Sequence, residues 1–386
     1  STFVQADPAE VYRFIEDDLK FAADNLPYST EDDVRKESSF RMSKGAALGL
    51  LAKVYATWAG YPVHDTSKWE QAALTAQTLI ESKKHSLLQN YEQLWKNTCN
   101  GVWAPEESLI EVSFYAPTVT GTNSEDPVGR IGKWNGVKTT AIAGVRGSCA
   151  ANVKVVHTFV LDWREDVSDI RRDLSIANYQ YTDTKKSLWV AGASDTDESA
   201  AEKDADPTKA QKNKQNYTPA KWDIQKYVTT NSFINNDKSN VNWYFLRYAD
   251  VLLLYAEALN EWKHGPDAEA YNAINAVRRR GYGNPSNTSA CDLPQGLDET
   301  SFREAVRKER SYELSFEGHR RQDLIRWGIY YKTVQATAKE LGYWWEGTGS
   351  PNYSVATYTE EGKHELFPIP QRDMDLCIQF NQNPKW

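Results

Sequence analysis

Residues 243–280, WYFLRYADVLLLYAEALNEWKHGPDAEAYNAINAVRRR, decide the fold of this chain. Large apolar and aromatic residues recur there at steps of three and four, namely Tyr244, Tyr248, Val251, Tyr255, Leu259 and Trp262. This spacing places them on one face of a helix. Three consecutive leucines from Leu252 make the helix apolar over most of its circumference. A helix of this kind is usually buried between neighbours, so we predict a buried helix that includes Tyr244.

The same stretch predicts a second helix. The first one should end at His264-Gly265-Pro266, because glycine adopts the left-handed cap conformation and proline begins the next helix. The second helix carries mostly small residues: Ala268, Tyr271, Ala273, Ile274, Ala276 and Val277. Small side chains let two helices approach closely, so we predict a helical hairpin at the centre of a larger helical body.

Residues 43–82 repeat this arrangement. A helix rich in Leu, Tyr and Ala over Ser43–Ala59 is followed by a turn and an alanine-rich helix over Trp69–Ser82. Alternating small and aromatic residues in consecutive helix pairs are typical of the tetratricopeptide repeat. Further helices are predicted over Pro8–Leu26, over Phe302–Gly328 with a break near Gly318, and over Tyr330–Leu341.

The middle of the chain loses the helical period. Residues 109–115, LIEVSFY, alternate like a strand, and Lys221–Val228 is read as another strand. Segments rich in Gly, Thr, Asn and charged residues lie between them and are typical of loops. We therefore predict a helical scaffold over 1–108 and 241–342, a loop-rich ligand-side region over 109–240 and a C-terminal coil over 343–386. The predicted fold class is mostly α, a tetratricopeptide-like scaffold of helical pairs with an irregular loop-rich domain and a few short strands.

Composition excludes several classes of protein. The chain has 386 residues, of which 40% are hydrophobic and 25% charged, as expected of a folded protein, and its net charge of -8 argues against nucleic-acid binding. No apolar run is long enough to cross a bilayer. The four cysteines, Cys99, Cys149, Cys291 and Cys377, are far apart and form no zinc-binding pair. One disulfide remains open, with no pairing readable from the sequence.

Two carboxylates raise the question of catalysis. Glu309 and Glu313 are one turn apart on the same predicted helix face and resemble the acid/base pair of a glycosidase. The alternative is that nearby arginines neutralise them, because a buried charge persists only when it is paired. We favour ion pairs, with Arg310, Arg320, Arg321 and Arg326 as the partners. No pair of histidines has metal-ligand spacing and no nucleotide-binding motif is present, so the sequence implies no cofactor and no metal site.

Tryptophans in polar loops are the more informative group. Aromatic residues make up 12% of the chain, and several lie beside Gly, Asn and Thr: Trp134, Trp189, Trp222 and Trp344. An exposed indole flanked in this way stacks on a sugar ring or lies at the centre of a protein interface. Alternatively, each indole packs under its own loop. We predict a ligand site at these four tryptophans, with Asn135 and Arg146 as polar partners.

Four segments resemble the SusD/RagB family of surface-exposed nutrient-binding lipoproteins. These segments are RMSKGAALGLLAKVYATWAG, RYADVLLLYAEALNE, KERSYELSFEGHRRQDLIRWG and LFPIPQRDMDLCIQFNQNPKW, in the family's order and over nearly the whole chain. The resemblance implies a non-catalytic protein of the Gram-negative cell surface that lies as a lid on a SusC-like TonB-dependent transporter. It also implies that an Arg/Asp/Glu network ties the helix break to the LFPIP coil.

The resemblance also implies a lipoprotein signal, a lipid-modified cysteine and a first helical pair before VYRFIEDDLK, and the given sequence begins after them. Contact with the outer membrane would then be through an N-terminal lipid anchor. We expect a glycan-binding protein that delivers oligosaccharide to the transporter. Alternatives are a RagB-type peptide receptor, a helical glycosidase using Glu309 and Glu313, and a scaffold that binds only the transporter.

Overall fold

The computed structural model describes residues 3–38, 41–114, 129, 131–142, 147–164, 168–182, 185–188, 217–228, 241–283, 291–344 and 354–386. Its helices are α1 Pro8–Asn25, α2 Asp33–Lys36, α3 Lys44–Ala59, α4 Lys68–Glu81, α5 Tyr91–Cys99, α6 Ile131–Trp134, α7 His157–Arg164, α8 Arg171–Ser175, α9 Ile224–Tyr227, α10 Tyr248–Lys263, α11 Ala268–Gly281, α12 Glu299–Glu313, α13 Arg320–Arg326, α14 Tyr330–Trp344, α15 Ser354–Tyr358 and α16 Gln371–Leu376. Its strands are β1 Ser108–Val112, β2 Ile176–Ala177, β3 Tyr179–Thr182, β4 Lys185–Leu188, β5 Thr218–Pro219 and β6 Trp243–Arg247.

Helix α10 lies at the centre of the scaffold. Every residue from Tyr248 to Asn260 is buried, and the helix packs against α3, α4, α11 and α12. A fully buried leucine such as Leu253 contributes about 1.5–3 kcal/mol, so this helix supplies a large part of the core. The prediction of a buried central helix is confirmed.

Two helix pairs build the scaffold, α3 with α4 and α10 with α11. Polar side chains start them: Ser43 accepts a hydrogen bond from Ala46 N at 3.2 Å, and Asp267 accepts one from Ala270 N at 2.9 Å. The small residues of α11 are buried, including Ala270 and Ala273, which lets this helix lie close to α10. The mostly α fold class with helical pairs and a few short strands is confirmed.

The start of the central stretch differs from the prediction. Trp243–Arg247 is a strand that pairs antiparallel with β1, with Tyr244 opposite Glu111. Tyr244 and Leu246 are buried whereas Phe245 is 46% exposed, which is the two-residue period of a strand. Tyr244 is therefore not on the helical stripe, and the helix begins only at Tyr248.

Two local predictions are also corrected. The segment predicted as a strand over Lys221–Val228 contains a turn and α9, because the Asp223 side chain accepts a hydrogen bond from Lys226 N at 3.1 Å and caps a helical turn. At the end of α10, His264 rather than Gly265 takes the left-handed cap conformation, with φ of 56°.

The loop-rich region packs on the scaffold through small aromatic clusters. Trp163 of α7 stacks on Tyr312 of α12, with ring centroids 4.5 Å apart and planes 1° from parallel. Two short antiparallel pairs, β2 with β5 and β3 with β4, complete the described part of this region. All four cysteines are among the described residues, and each is a free thiol. Among the described residues, no helix combines the length and the apolar character needed to cross a membrane.

Candidate functional site

Three arginines and four glutamates form a buried ion cluster between α8, β6, α11 and α12, which we call the arginine network. Its members are Arg171, Arg247, Arg280, Glu107, Glu309, Glu313 and Glu317, and each side chain is at most 1% exposed. Arg280 Nη2 lies 2.7 Å from Glu313 Oε1, and Arg247 Nη1 lies 3.0 Å from the same oxygen. Because buried charges of this kind persist only when paired, the members depend on one another.

The arginine network joins distant parts of the chain. Arg171, in the loop-rich region, donates hydrogen bonds to Glu309 at 2.6 Å and to Glu313 at 3.0 Å. A Cβ at position 281 would lie 2.3 Å from Arg171 Nε, so only glycine fits where α11 passes this side chain. The network therefore fixes the loop-rich region on the helical scaffold.

Glu309 and Glu313 act here as structural ion pairs. Burial alone would raise the pKa of Glu313, but Arg280, Arg247 and Arg171 hold the pKa well below its usual range. A general acid for glycoside cleavage needs a raised pKa instead. Neither carboxylate is among the residues that line the large cleft described below.

The partners of these glutamates differ from the prediction, which chose arginines close in sequence. Arg310 and Arg326 instead pair with Asp323, each at 2.9 Å. Arg321 donates to the His364 carbonyl at 2.6 Å and places its guanidinium 4.8 Å from the ring of Phe367. Arg321 is thus the residue that ties the helix break to the coil that carries LFPIP.

A cleft of about 900 Å³ opens between α7, the 314–319 turn, α13 and α14. Phe159 and Phe316 meet edge to face on its wall, with ring centroids 6.0 Å apart. Hydroxyl groups line it as well, from Thr158, Ser311, Ser315, Thr333 and Thr337. This volume, with an apolar wall and a limited set of polar groups, is typical of sites that bind small organic ligands.

Charged side chains of both signs border the cleft. The cations are Lys154, Arg310, Arg320 and Arg321, and the anions are Asp162, Asp323 and Glu340, with Arg310 and Asp323 paired to each other. Burial, and then the charge of Lys138, lower the pKa of Lys154. The cleft thus offers donors for anionic groups as well as acceptors for hydroxyl groups.

The cleft also contains a histidine that is held in one state. His319 Nδ1 lies 3.0 Å from Lys53 Nζ, and Lys53 is paired with Asp250 at 2.9 Å. Burial and the charge of Lys53 lower the pKa of His319 to about 4. At neutral pH the ring is therefore uncharged, and its Nδ1 accepts from the lysine.

Trp134 is exposed but is not among the residues that line this cleft. It is the last residue of α6 and is 40% exposed. Its carbonyl accepts hydrogen bonds from Asn152 N at 3.0 Å and Val153 N at 3.3 Å. Lys154 follows Val153 and lines the cleft, so these two hydrogen bonds connect the backbone of Trp134 to a segment that reaches the cleft wall. The neighbouring Asn135 has a buried Oδ1 that accepts no hydrogen bond from the described residues.

Trp222 is in the core, which corrects the expectation of an exposed loop residue. It is 1% exposed and stacks on Trp243 with ring centroids 4.7 Å apart, while Trp95 packs against it edge to face at 5.7 Å. A Cβ added at Gly136 would lie 2.7 Å from the carbonyl oxygen of Trp222, so Trp222 packs closely against the loop that follows Trp134. It offers no face to a ligand.

The other predicted site residues lie outside the described residues. These are Arg146, Trp189 and the side chain of Trp344, whose backbone ends α14. Sequence analysis missed the cleft residues Phe159 and Arg320 as ligand-site candidates. The only signal for Arg320 was its position just after the glycine that breaks the helix. Within the described ranges, no group of three or more His, Cys, Asp or Glu is arranged to hold a metal ion.

Comparison with solved structures finds the same fold. A SusD homolog from Bacteroides thetaiotaomicron is 89% identical and superposes with a TM-score of 0.92, covering 100% of this chain and 72% of its own. A protein described as "Laminarin binding SusD-like protein" is 25% identical with a TM-score of 0.65, covering 99% of this chain and 70% of its own.

Comparison of sequences agrees. SusD-like protein P2 of Formosa agariphila is 26% identical over 322 residues, which are 82% of this chain. The chain spans only 56% of the length of that relative. The profile of the SusD family matches residues 158–386, more than half of the sequence. The chain belongs to the SusD family.

Proposed function

We propose that this chain binds an oligosaccharide in the cleft lined by Phe159 and Phe316, without cleaving it, and delivers it to a SusC-like TonB-dependent transporter. Membership of the SusD family supports the proposal, as does the laminarin-binding relative with the same fold. The observation that carries it is a cleft of about 900 Å³ whose wall combines two aromatic rings, Phe159 and Phe316, with hydroxyl groups.

The chemistry of the cleft suits a sugar. A sugar ring presents C–H groups on its faces and hydroxyl groups around its edge. The faces pack against aromatic rings, here Phe159 and Phe316, at about 0.5–1.5 kcal/mol for each ring. The edge hydroxyls exchange hydrogen bonds with the side chains of Ser311 and Asp162.

Titration with polysaccharides tests this function. Laminarin and a panel of plant and microbial polysaccharides are run in affinity gels, and the tightest ligand is followed by Trp fluorescence. Trp134→Ala should weaken binding by about 10-fold. Trp386→Ala is the matched control, because Trp386 is 45% exposed in the C-terminal coil, whereas the backbone of Trp134 is hydrogen-bonded to the segment that leads into the cleft wall. Failure of every polysaccharide to bind, or equal loss in both variants, contradicts the proposal.

Binding without cleavage is a separate part of the proposal. Glu309 and Glu313 are committed to ion pairs, and Asp323 in the cleft is paired with Arg310 and Arg326. Incubating the chain with its tightest polysaccharide should release no reducing sugar. Release that is lost in Glu313→Gln would favour the glycosidase hypothesis instead.

The mixed charge of the cleft favours a second candidate function, peptide binding. Lys154, Arg320, Asp162 and Glu340 border the same space and match the charged ends and side chains of a peptide. Mass spectrometry of material that co-purifies with the chain separates the two. Recovered peptides without any glycan affinity would support a RagB-type receptor.

The transporter and the location belong to the same proposal. We place the full-length protein at the cell surface of the outer membrane, attached through an N-terminal lipid, with the transporter as partner. Family membership supports both statements. Two measurements test them. A TonB-dependent transporter should co-purify with the tagged full-length protein from outer membranes, and the full-length protein should be absent from soluble fractions.

A further inference from the structure

We infer that the cleft selects an anionic sugar residue, one that carries a carboxylate or a sulfate, and that Arg320 is the residue that recognises it. The inference rests on the proposed glycan binding and names the ligand class of that site. Its starting point is a pair of consecutive arginines, Arg320 and Arg321, both on the cleft wall and both without a carboxylate within 4.0 Å among the described residues.

Arg320 is exposed and only partly engaged. Its Nη1 donates to the Arg307 carbonyl at 3.3 Å, and its guanidinium carbon lies 5.6 Å from the ring of Trp327. Within the described part of the chain, its Nε and Nη2 have no hydrogen-bond partner. One side of the guanidinium is thus held in place while two donors stay open.

Nearby arginines behave differently. Arg307 pairs with Glu304 at 2.7 Å, Arg310 with Asp323 at 2.9 Å and Arg303 with Glu261 at 2.6 Å. An arginine on these helices therefore normally meets a carboxylate of the protein. The open donors of Arg320 face a cleft instead, where a ligand can supply the anion.

The shape of the donor favours this class of ligand. A guanidinium presents parallel N–H groups that match the two oxygens of a carboxylate or sulfate. Phe159 and Phe316 on the same wall provide rings for the sugar face, and Ser311 provides a hydroxyl for its edge. A sugar acid can engage all three at once, whereas a free inorganic anion can engage only the arginine.

Two acids of the cleft, Asp323 and Asp162, act on the charge of Arg320 electrostatically, although neither lies within 4.0 Å of it among the described residues. Asp162 is already engaged, since it accepts from Tyr312 Oη at 2.9 Å and lies 3.3 Å from Lys308 Nζ. Glu340 is exposed at the cleft edge. Lys154 adds a further cation to the cleft wall, and burial, followed by the charge of Lys138, lowers its pKa.

Paired ligands test the inference. Binding of an oligogalacturonide is compared with binding of the same oligomer after reduction of its carboxyl groups, which keeps the sugar ring and removes the charge. A sulfated galactan and poly-glutamate are measured in parallel. We expect the acidic sugars to bind at least about 10-fold tighter than the reduced oligomer, a preference that weakens as salt is raised.

Four variants locate the effect, and thermal melts verify that each is folded. Arg320→Ala should remove the preference for acidic sugar, and Arg320→Lys should restore part of it. Arg13→Ala is the matched control, because Arg13 is an exposed arginine of α1, away from the cleft. Glu340→Gln should leave acidic-sugar affinity unchanged or raise it, since it removes a negative charge from the edge.

Each outcome supports or overturns a stated part of the inference. Equal binding of the acidic and reduced oligomers overturns the inference while leaving glycan binding in place. A preference that survives in Arg320→Ala overturns the role of this residue. Poly-glutamate that binds as tightly as the oligogalacturonide replaces the sugar class by an acidic peptide. If neither these sugars nor any neutral polysaccharide binds, the proposed function fails together with the inference.

Discussion

Glu313→Gln changes few atoms, but we expect it to lower the unfolding free energy strongly. Glu313 is completely buried and accepts from Arg171 Nη1 at 3.0 Å, Arg247 Nη1 at 3.0 Å and Arg280 Nη2 at 2.7 Å. Glutamine has nearly the same volume but removes one negative charge that three buried guanidinium groups share. Each group then keeps only its other carboxylates, which are Asp169 and Glu309 for Arg171, Glu107 and Glu317 for Arg247, and Glu107 for Arg280. Breaking a buried pair in this way costs about 3–5 kcal/mol of unfolding free energy.

Urea denaturation followed by Trp fluorescence measures this cost. We expect a lower midpoint with an unchanged slope, because the same surface is exposed on unfolding. Glu340→Gln makes the same chemical change at an exposed residue of α14 and should shift stability by less than about 0.5 kcal/mol. A loss below about 1 kcal/mol in Glu313→Gln would refute the view that the arginine network holds the loop-rich region to the scaffold.

The difference in unfolding free energy between wild type and Glu313→Gln should depend on pH. Arginines hold the pKa of Glu313 well below its usual range in the folded chain, against about 4.3 in the unfolded chain. Its contribution to stability is therefore fully present above pH of about 4.3 and is lost as the pH falls further. The difference between wild type and Glu313→Gln should stay constant near neutral pH and narrow below pH of about 4. A difference that widens in acid contradicts this reasoning.

Two further predictions concern single residues. Trp222→Ala should lower the unfolding free energy by about 3–5 kcal/mol, because Trp222 is buried between Trp95 and Trp243. Trp134→Ala should change it by less than about 1 kcal/mol, because Trp134 is exposed. Equal losses of stability for the two variants in urea titrations would contradict the placement of the two indoles. A thiol reagent should label the partly exposed Cys377 in the folded chain, and it should label the three buried cysteines only after unfolding. A reductant should leave the melting temperature unchanged. A melting temperature that shifts with reductant would reveal a disulfide.

Sequence patterns predicted the scaffold because its helices have long apolar periods. Helix α10 is buried along most of its length, so packing and period agree. WYFLR was misread because Tyr244 fits both a helical step from Tyr248 and the alternation of a strand. Only its pairing with β1, more than a hundred residues away, decides between them.

The site was harder to predict because its features depend on contacts between distant segments. Trp222 follows a polar sequence, yet Trp95 and Trp243 enclose it from far along the chain. The glutamates of α12 were assigned to arginines close in sequence, whereas their buried partners come from other elements. Arg320 was missed for the opposite reason: the sequence analysis assigned it to a glutamate, whereas in the structure it lines a cleft.

The most direct test of the account is a crystal structure of the chain with the tightest oligosaccharide from the titrations. The account predicts density for sugar rings in the cleft between α7 and α14, with one ring against Phe159 or Phe316 and an acidic group within hydrogen-bond distance of Arg320. A sugar bound at another surface, with the cleft filled only by solvent, would contradict it.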